Sequence, residues 1–243
     1  MLLELFFIFL ILLAGSFIQG VSGFGFGLLA MSFLPLLFTV KDSTLLVVSL
    51  ALIVSTSIAV QLYKHIKWRA LLVMLAAAFV GRIGAFFILS NYGELPIMRD
   101  FLGAFLILVV IYLFFGKGLT RYVPRVTAPL AITLGALGGF VGGIYAVGGP
   151  FFVFLLMLMF KDDKYAYSAN LQVTFVFTNT ITVLLHALNG DFTSSWLLYF
   201  AVGVVTVLIG TRLGVACFTY VSQENTKRIA GVIVAIAAIN FLL

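Results

Sequence analysis

The chain has 243 residues, 63% of them hydrophobic and 9% charged, a balance that leaves too little polar surface to cover a soluble domain of this size. No runs of alternating polar and apolar residues suggest a β-barrel, so the composition points to an all-α polytopic membrane protein. Lys and Arg exceed Asp and Glu by 14 to 8, but they sit mainly in short loops between apolar segments, a placement that reads as membrane topology and not as a nucleic-acid surface.

The N-terminus, MLLELFF, carries Glu4 where a secretory signal would carry lysines, and its apolar stretch outruns a signal core, so it reads as mature sequence. Segment 5–40 is about 35 residues long, which as one helix would extend about 52 Å. That is too long for one crossing of a hydrocarbon core of about 30 Å. Its glycines cluster centrally, as GVSGFGFG at 20–27, and predict two helices of about 13 to 18 residues joined by a break, either as a re-entrant hairpin or as two thin crossings. Spans of crossing length follow at 43–63, 70–90 and 97–116. Segment 126–160 repeats the long pattern with GALGGFVGGIYAVGGP at its centre, and further spans are predicted at 167–188, 196–220 and 226–243.

The two halves resemble each other. VSGFGFGLLA at 21–30, followed by Lys41-Asp42, aligns without a gap on VGGIYAVGGP at 141–150, followed by Lys161-Asp162, and GRIG at 81–84 answers TRLG at 211–214. The expected organisation is one membrane domain, 1–243, made of repeat 1 (1–118), an inter-repeat loop (119–125) and repeat 2 (126–243). Each repeat holds one Gly-rich broken helix pair plus three transmembrane helices. If the pair returns to the side it left, the number of full crossings is odd, which turns the second repeat upside down and gives inverted-topology repeats. Loop charge agrees with this: Lys64, Lys67 and Arg69 are followed by the net-negative Glu94, Arg99 and Asp100 and then by Lys117, Arg121 and Arg125. In the second half the sign reverses, with Asp191 in the loop equivalent to Lys64, Lys67 and Arg69, and a net-positive Glu224, Lys227 and Arg228. Both chain ends are therefore expected outside the cytoplasm.

The paired motifs GVSGFGFGLLAMSFLPLL and GGFVGGIYAVGGPFFVFLLM, one opening each half, resemble those of the TauE/SafE family of sulfite and organosulfonate exporters, over essentially the whole chain. The first motif departs from the family pattern in placing Phe24 and Phe26 between glycines and in lacking the Gly-Gly-Pro of the second. The resemblance implies export of a sulfur oxyanion or sulfonate across the cell (inner) membrane.

A broken helix pair leaves backbone N–H groups unpaired at the start of its second half, together with about half a positive charge from the helix dipole. Such an end attracts anions. Gly25 and Gly27 in one motif, and Gly148 and Gly149 in the other, are expected to let the backbone turn and a ligand approach, with Pro150 suited to a helix start. Gly23 and Gly143 complete the candidate set, and Ser22 and Tyr145 could add hydroxyl donors. Arg82 and Arg212 occupy matching positions within predicted spans, where an arginine costs at least about 2.5 kcal/mol and faces protein or an aqueous cavity. Small residues beside them, Ala77, Gly81 and Ala85 in one case and Thr206, Gly210 and Gly214 in the other, predict helix packing that turns each arginine inward. Each guanidinium could bind the anion, cap the carbonyls of a broken half-helix, or do both.

Asn170, Thr174, Thr178, Thr182 and His186 recur at spacing four, so they form a polar stripe on one helix. The threonines read as interhelical hydrogen bonds, His186 reads as structural, and Asn170 and Gln172 read as candidate lining amides. Their counterparts Leu50 and Leu52 are apolar, which predicts an asymmetric site. Two histidines and one cysteine, widely spaced, make no recognisable metal site. GFGFG lacks the βαβ context of a nucleotide fingerprint, and no cofactor is implied. An enzyme would need a base, nucleophile or metal that the sequence does not assemble. The function expected is a transporter for a small sulfur-containing anion. An anion channel, or a carrier for another small anion, is the alternative. The partners expected are the anion and the lipid bilayer, and a homodimer is compatible with the sequence.

Overall fold

The computed structural model describes residues 2–115 and 126–217, with Gly231, Val232, Val234, Ala235 and Ala238. Its described residues are helical throughout, apart from short connections. The helices are α1 (Leu2–Ser22), α2 (Phe26–Phe33), α3 (Val40–Gln61), α4 (Trp68–Tyr92), α5 (Ile97–Phe115), α6 (Ala128–Tyr145), α7 (Gly149–Met159), α8 (Lys164–Leu188) and α9 (Ser194–Cys217). Among the described residues seven of these, all except α2 and α7, are long and apolar enough to cross a membrane. The inter-repeat loop 119–125 and, apart from those five residues, the predicted span 226–243 lie outside the described residues.

Local chemistry sets several helix starts. Thr39 caps α3 by accepting from the Asp42 amide at 3.0 Å while its hydroxyl donates to the Asp42 carboxylate at 2.8 Å. Asp163 caps α8 through the Ala166 amide at 2.9 Å. The Lys-Asp pairs that follow each glycine motif thus mark where a full-length helix begins.

Both long glycine segments fold as two helices joined by a break, as expected; of the two arrangements open to them each takes the hairpin, with uneven arms. α1 has 21 residues against 8 in α2, and α6 has 18 against 11 in α7. The first break, at 23–25, lies near the middle of its segment, but α1 begins at Leu2 and α2 gives way at Leu34 to a tighter turn that carries Pro35. In the first hairpin Gly25 returns against Ile18 and Phe26 against Gly15. In the second, Gly148 lies against Gly142, and Phe152 against Gly138.

Contacts between the halves orient these hairpins. α1 packs along α9 with both sequences rising together, since Gly210 meets Ser16 and Leu13 while Gly214 meets Phe17 and Gly20. α6 runs along α4 in the same manner, with Gly135 against Met74, Gly139 against Ala78 and Gly143 against Ala85. The long central helices α3 and α8 pack between them. At one end of the bundle the Lys41 amide donates to the Gly93 carbonyl at 3.1 Å and the Lys41 ammonium meets Asp191 at 2.9 Å, which gathers the start of α3 with the ends of α4 and α8. At the opposite end, Asn170 of α8 bonds the His65 to Lys67 connection between α3 and α4.

The α4–α6 interface depends on the absence of side chains. A Cβ on Gly81 would strike the Ala136 carbonyl, and one on Gly139 the Ala78 carbonyl, so the backbones approach as in small-residue membrane interfaces. By contrast, a Cβ on Gly84 would meet the Phe140 ring at 3.5 Å, an ordinary contact. Gly139→Leu should therefore destabilise the protein by about 3 kcal/mol or more through overpacking, while Gly84→Ala should leave thermal unfolding in detergent nearly unchanged.

Candidate anion site at the helix breaks

The first break is closed by backbone geometry. Gly23 donates to the Gln19 carbonyl at 2.8 Å to finish α1, and Gly25, with φ of 113°, takes a conformation that L side chains rarely adopt and starts α2. The second break differs from expectation. Its left-handed residue is Ala146, at φ 56°, whereas Gly148 has an ordinary φ of −73°. Gly148 is required for space instead, since a Cβ there would meet the Gly138 carbonyl. A non-glycine residue held in this region costs about 1–3 kcal/mol and is a feature of functional sites.

The two breaks touch. A Cβ on Gly27 would collide with the Ala146 carbonyl, and Gly149 lies 3.7 Å from the Phe24 ring by the same construction. Helix geometry leaves the amides of Phe26, Gly27 and Leu28 at the start of α2, and those of Gly149 and Phe151 at the start of α7, where Pro150 has none, without intrahelical partners. Between the breaks lies a cavity of about 30 Å³, lined by Gly25, Gly27, Gly148 and Gly149, by the polar side chains of Gln19, Ser55, Arg82 and Asn179, and by the rings of Phe24, Phe152 and Phe175. This space suits one or two waters, so a bound oxyanion requires the two tips to part.

Arg82 is 3% exposed. Its Nη1 donates to the Gly142 carbonyl and to Thr182 Oγ1, both at 2.8 Å, and its Nη2 donates to Asn179 Oδ1 at 3.3 Å. It thus holds the last turn of α6 and lines the cavity at once. Five N–H groups serve three bonds, which leaves Nε and one Nη2 hydrogen without partners among the described residues. No carboxylate among the described residues neutralises it.

A profile described as sulfite exporter TauE/SafE matches residues 7–241. The chain belongs to the TauE/SafE family. It is 28% identical over 240 residues to a protein of Cupriavidus necator named "Probable sulfite/organosulfonate exporter TauE", an alignment that covers 93% of this chain and 89% of that protein. No solved structure matches the chain. Membership in a family of exporters, together with the seven crossing-length helices, makes it a multi-pass membrane transporter.

Of the remaining candidates, this TauE/SafE structure keeps some near the cavity and removes others. Arg212 is exposed on α9 and does not turn inward; its neighbour Thr211, 1% exposed, is the buried residue. One residue is about 100° of helix rotation, so α9 presents Thr211 to α1 at Gly20, and the arginine pairing expected from GRIG and TRLG fails by a single position. Asn170 is also displaced from the site. Its Oδ1 accepts from the Lys67 amide at 2.8 Å and its Nδ2 donates to the Ala166 and His65 carbonyls, which fixes the α3–α4 connection at the bundle end. The Ser22 hydroxyl is occupied by backbone, 2.6 Å from the Phe24 carbonyl and 2.8 Å from that of Ile18. Tyr145 and Gly143 are buried beside the break without lining the cavity, Gly143 against Ala85 and the Arg82 stem.

Gln172 acts on the break itself, donating to the Gly23 carbonyl at 2.6 Å. Its Oε1 accepts from Gln19 Nε2 at 3.1 Å, which also donates to Ser55 Oγ at 3.1 Å. Gln19 and Ser55 were not singled out from sequence. The available signal was that Gln19 is the sole carboxamide in the apolar run before Lys41; Ser55, among other small hydroxyl residues of α3, gave none.

His186 is buried, as a structural histidine should be, and its Nδ1 lies 2.6 Å from Asp191 Oδ2. Burial alone would push the Asp191 carboxyl up, but hydrogen bonds from Lys41, His186 and Asn189 outweigh it and hold the carboxyl below its ordinary range. A depressed folded-state value contributes stability that is complete above the unfolded value and is lost as pH falls through the folded one. Asp191→Asn should lower the melting temperature at neutral pH, and its deficit from wild type should shrink on acidification to about pH 3.

Proposed function

We propose that this transporter exports a small sulfur-containing anion, of the sulfite, sulfonate or sulfoacetate type, across the cell (inner) membrane, through a site where the two helix breaks meet. The observation that carries the reading is Arg82, a buried guanidinium without a counter-carboxylate among the described residues, lining a cavity between two helix starts. Two helix starts and one uncompensated cation make a preorganised environment for an anion in a low-dielectric interior. The name of the Cupriavidus necator relative supports a sulfur oxyanion or sulfonate as the cargo. The small volume of the cavity favours a carrier that opens and closes over an open anion channel.

Inverted repeats, 1–118 and 126–243, fit the packing. If α1 starts at the bundle end that holds Lys41, as its parallel course with α9 requires, its hairpin returns to that end, while the hairpin of α6 and α7 returns to the end that holds His65. The loop charges then put the Lys41 end outside and the His65 end in the cytoplasm. Single cysteines at Tyr92 and Lys117, in a background with Cys217 replaced, should react with an impermeant reagent from opposite sides. Reaction from the same side would defeat the inverted arrangement.

For the site, thermal-shift measurements with sulfite, thiosulfate, sulfoacetate, taurine and acetate should show stabilisation by one or more of the sulfur anions. Arg82→Ala and Gly148→Leu should abolish that shift and Arg82→Lys should restore it in part, since ammonium lacks the planar fork. Arg212→Ala should retain it. A well-folded Arg82→Ala variant that binds normally would confine Arg82 to holding α6. The interior-negative potential drives anions outward by about 2.3 kcal/mol per charge per 100 mV. Flux in proteoliposomes should accordingly follow an imposed potassium diffusion potential at equal pH on both sides.

A further inference from the structure

We infer that the site selects a sulfur monoanion that carries a hydrogen-bond donor of its own, such as hydrogen sulfite, over a fully ionised dianion. The inference rests on the proposed sulfur-anion cargo and concerns its protonation state. It follows from the orientation of two buried carboxamides, each fixed by a neighbour that can act in only one sense.

The first chain of constraint begins at the backbone. The Gly23 carbonyl only accepts, so the Gln172 atom 2.6 Å from it is the nitrogen, and the other Gln172 terminus is the acceptor Oε1. The Gln19 atom 3.1 Å from that oxygen must then be Nε2, and both its hydrogens are engaged, by Gln172 and by Ser55. What remains is Gln19 Oε1, an acceptor on a side chain that lines the cavity, with no hydrogen bond from any described residue. The second chain begins at Arg82. A guanidinium only donates, so the Asn179 atom 3.3 Å from Nη2 is Oδ1. Asn179 Nδ2 is left as a donor on a second side chain that lines the same cavity, again without a partner among the described residues.

The polar lining therefore offers both donors and an acceptor. Arg82, Asn179 Nδ2 and the Ser55 hydroxyl offer hydrogens, and Gln19 Oε1 offers a lone pair. A dianion with oxygens all around would set one of them against the Gln19 carbonyl oxygen, leaving two acceptors face to face in a buried space. A monoanion that retains an O–H satisfies the donors and the acceptor together. Arg82 is the only titratable side chain lining the cavity among the described residues, so a ligand of fixed single charge registers any change in the protein while sulfite adds its own ionisation. The difference between the two thus reports the protonation of the ligand itself.

The test measures affinity of the purified full-length protein for sulfite across the second ionisation of that anion, with methanesulfonate, a monoanion at every pH used, as the control for changes in the protein. Apparent affinity for sulfite should fall about tenfold for each pH unit above that ionisation, because only the singly charged fraction binds, while methanesulfonate affinity stays level. Gln19→Leu should flatten the sulfite profile. In wild-type protein, a sulfite affinity that is level or rises with pH would overturn the inference while leaving the sulfur-anion function intact. Failure of every sulfur anion to bind at any pH would overturn the function and the inference with it.

Discussion

A helix that stops inside an apolar bundle leaves carbonyls and amides that neither lipid nor water satisfies. Here each broken hairpin has one or more carbonyls met by a polar side chain from the other half of the chain. Gln172 of α8 holds the Gly23 carbonyl of the first hairpin. Thr44 of α3 donates to the Ile144 carbonyl of the second at 2.8 Å, and Arg82 of α4 donates to that of Gly142. Neither break is self-sufficient, so the two hairpins are stable as breaks only when the halves are assembled.

The carbonyls are bound in this way, but the amides at the starts of α2 and α7 are not, and that asymmetry shapes the cavity. Donors accumulate at the meeting point of the breaks, with Arg82 adding the one formal charge among the described lining residues. Its burial there would be costly in isolation. Three hydrogen bonds and nearby neutral amides offset part of that cost without cancelling the charge, as a carboxylate partner would have done. The proposed anion would supply the missing negative charge.

Small residues allow these polar groups to reach one another. The glycine faces of α4 with α6 and of α9 with α1 bring backbones close enough for Arg82 to reach Gly142 and for the breaks to touch. At the Lys41 end, Asp191 ties together Lys41, His186 and Asn189. At the opposite end, Asn170 bonds the connection between α3 and α4. The cavity between is enclosed by polar contacts that join the two halves at both ends.

Composition and segment length alone determined the class of the protein, because a chain this apolar cannot hide its surface from water and a helix of about 35 residues cannot lie within one membrane crossing. The glycine clusters likewise located both breaks, since they interrupt otherwise continuous apolar runs. Which way each polar side chain faces was decided only by tertiary structure. Arg82 and Arg212 share a motif, yet a rotation of one residue between α4 and α9 buries the first and exposes the second. Asn170 and Gln172 lie two residues apart on α8, about 200° around the helix, and so one serves a surface connection and the other the break. Sequence spacing specifies the relative angle between residues on one helix; the absolute direction of each follows from the neighbour against which that helix packs.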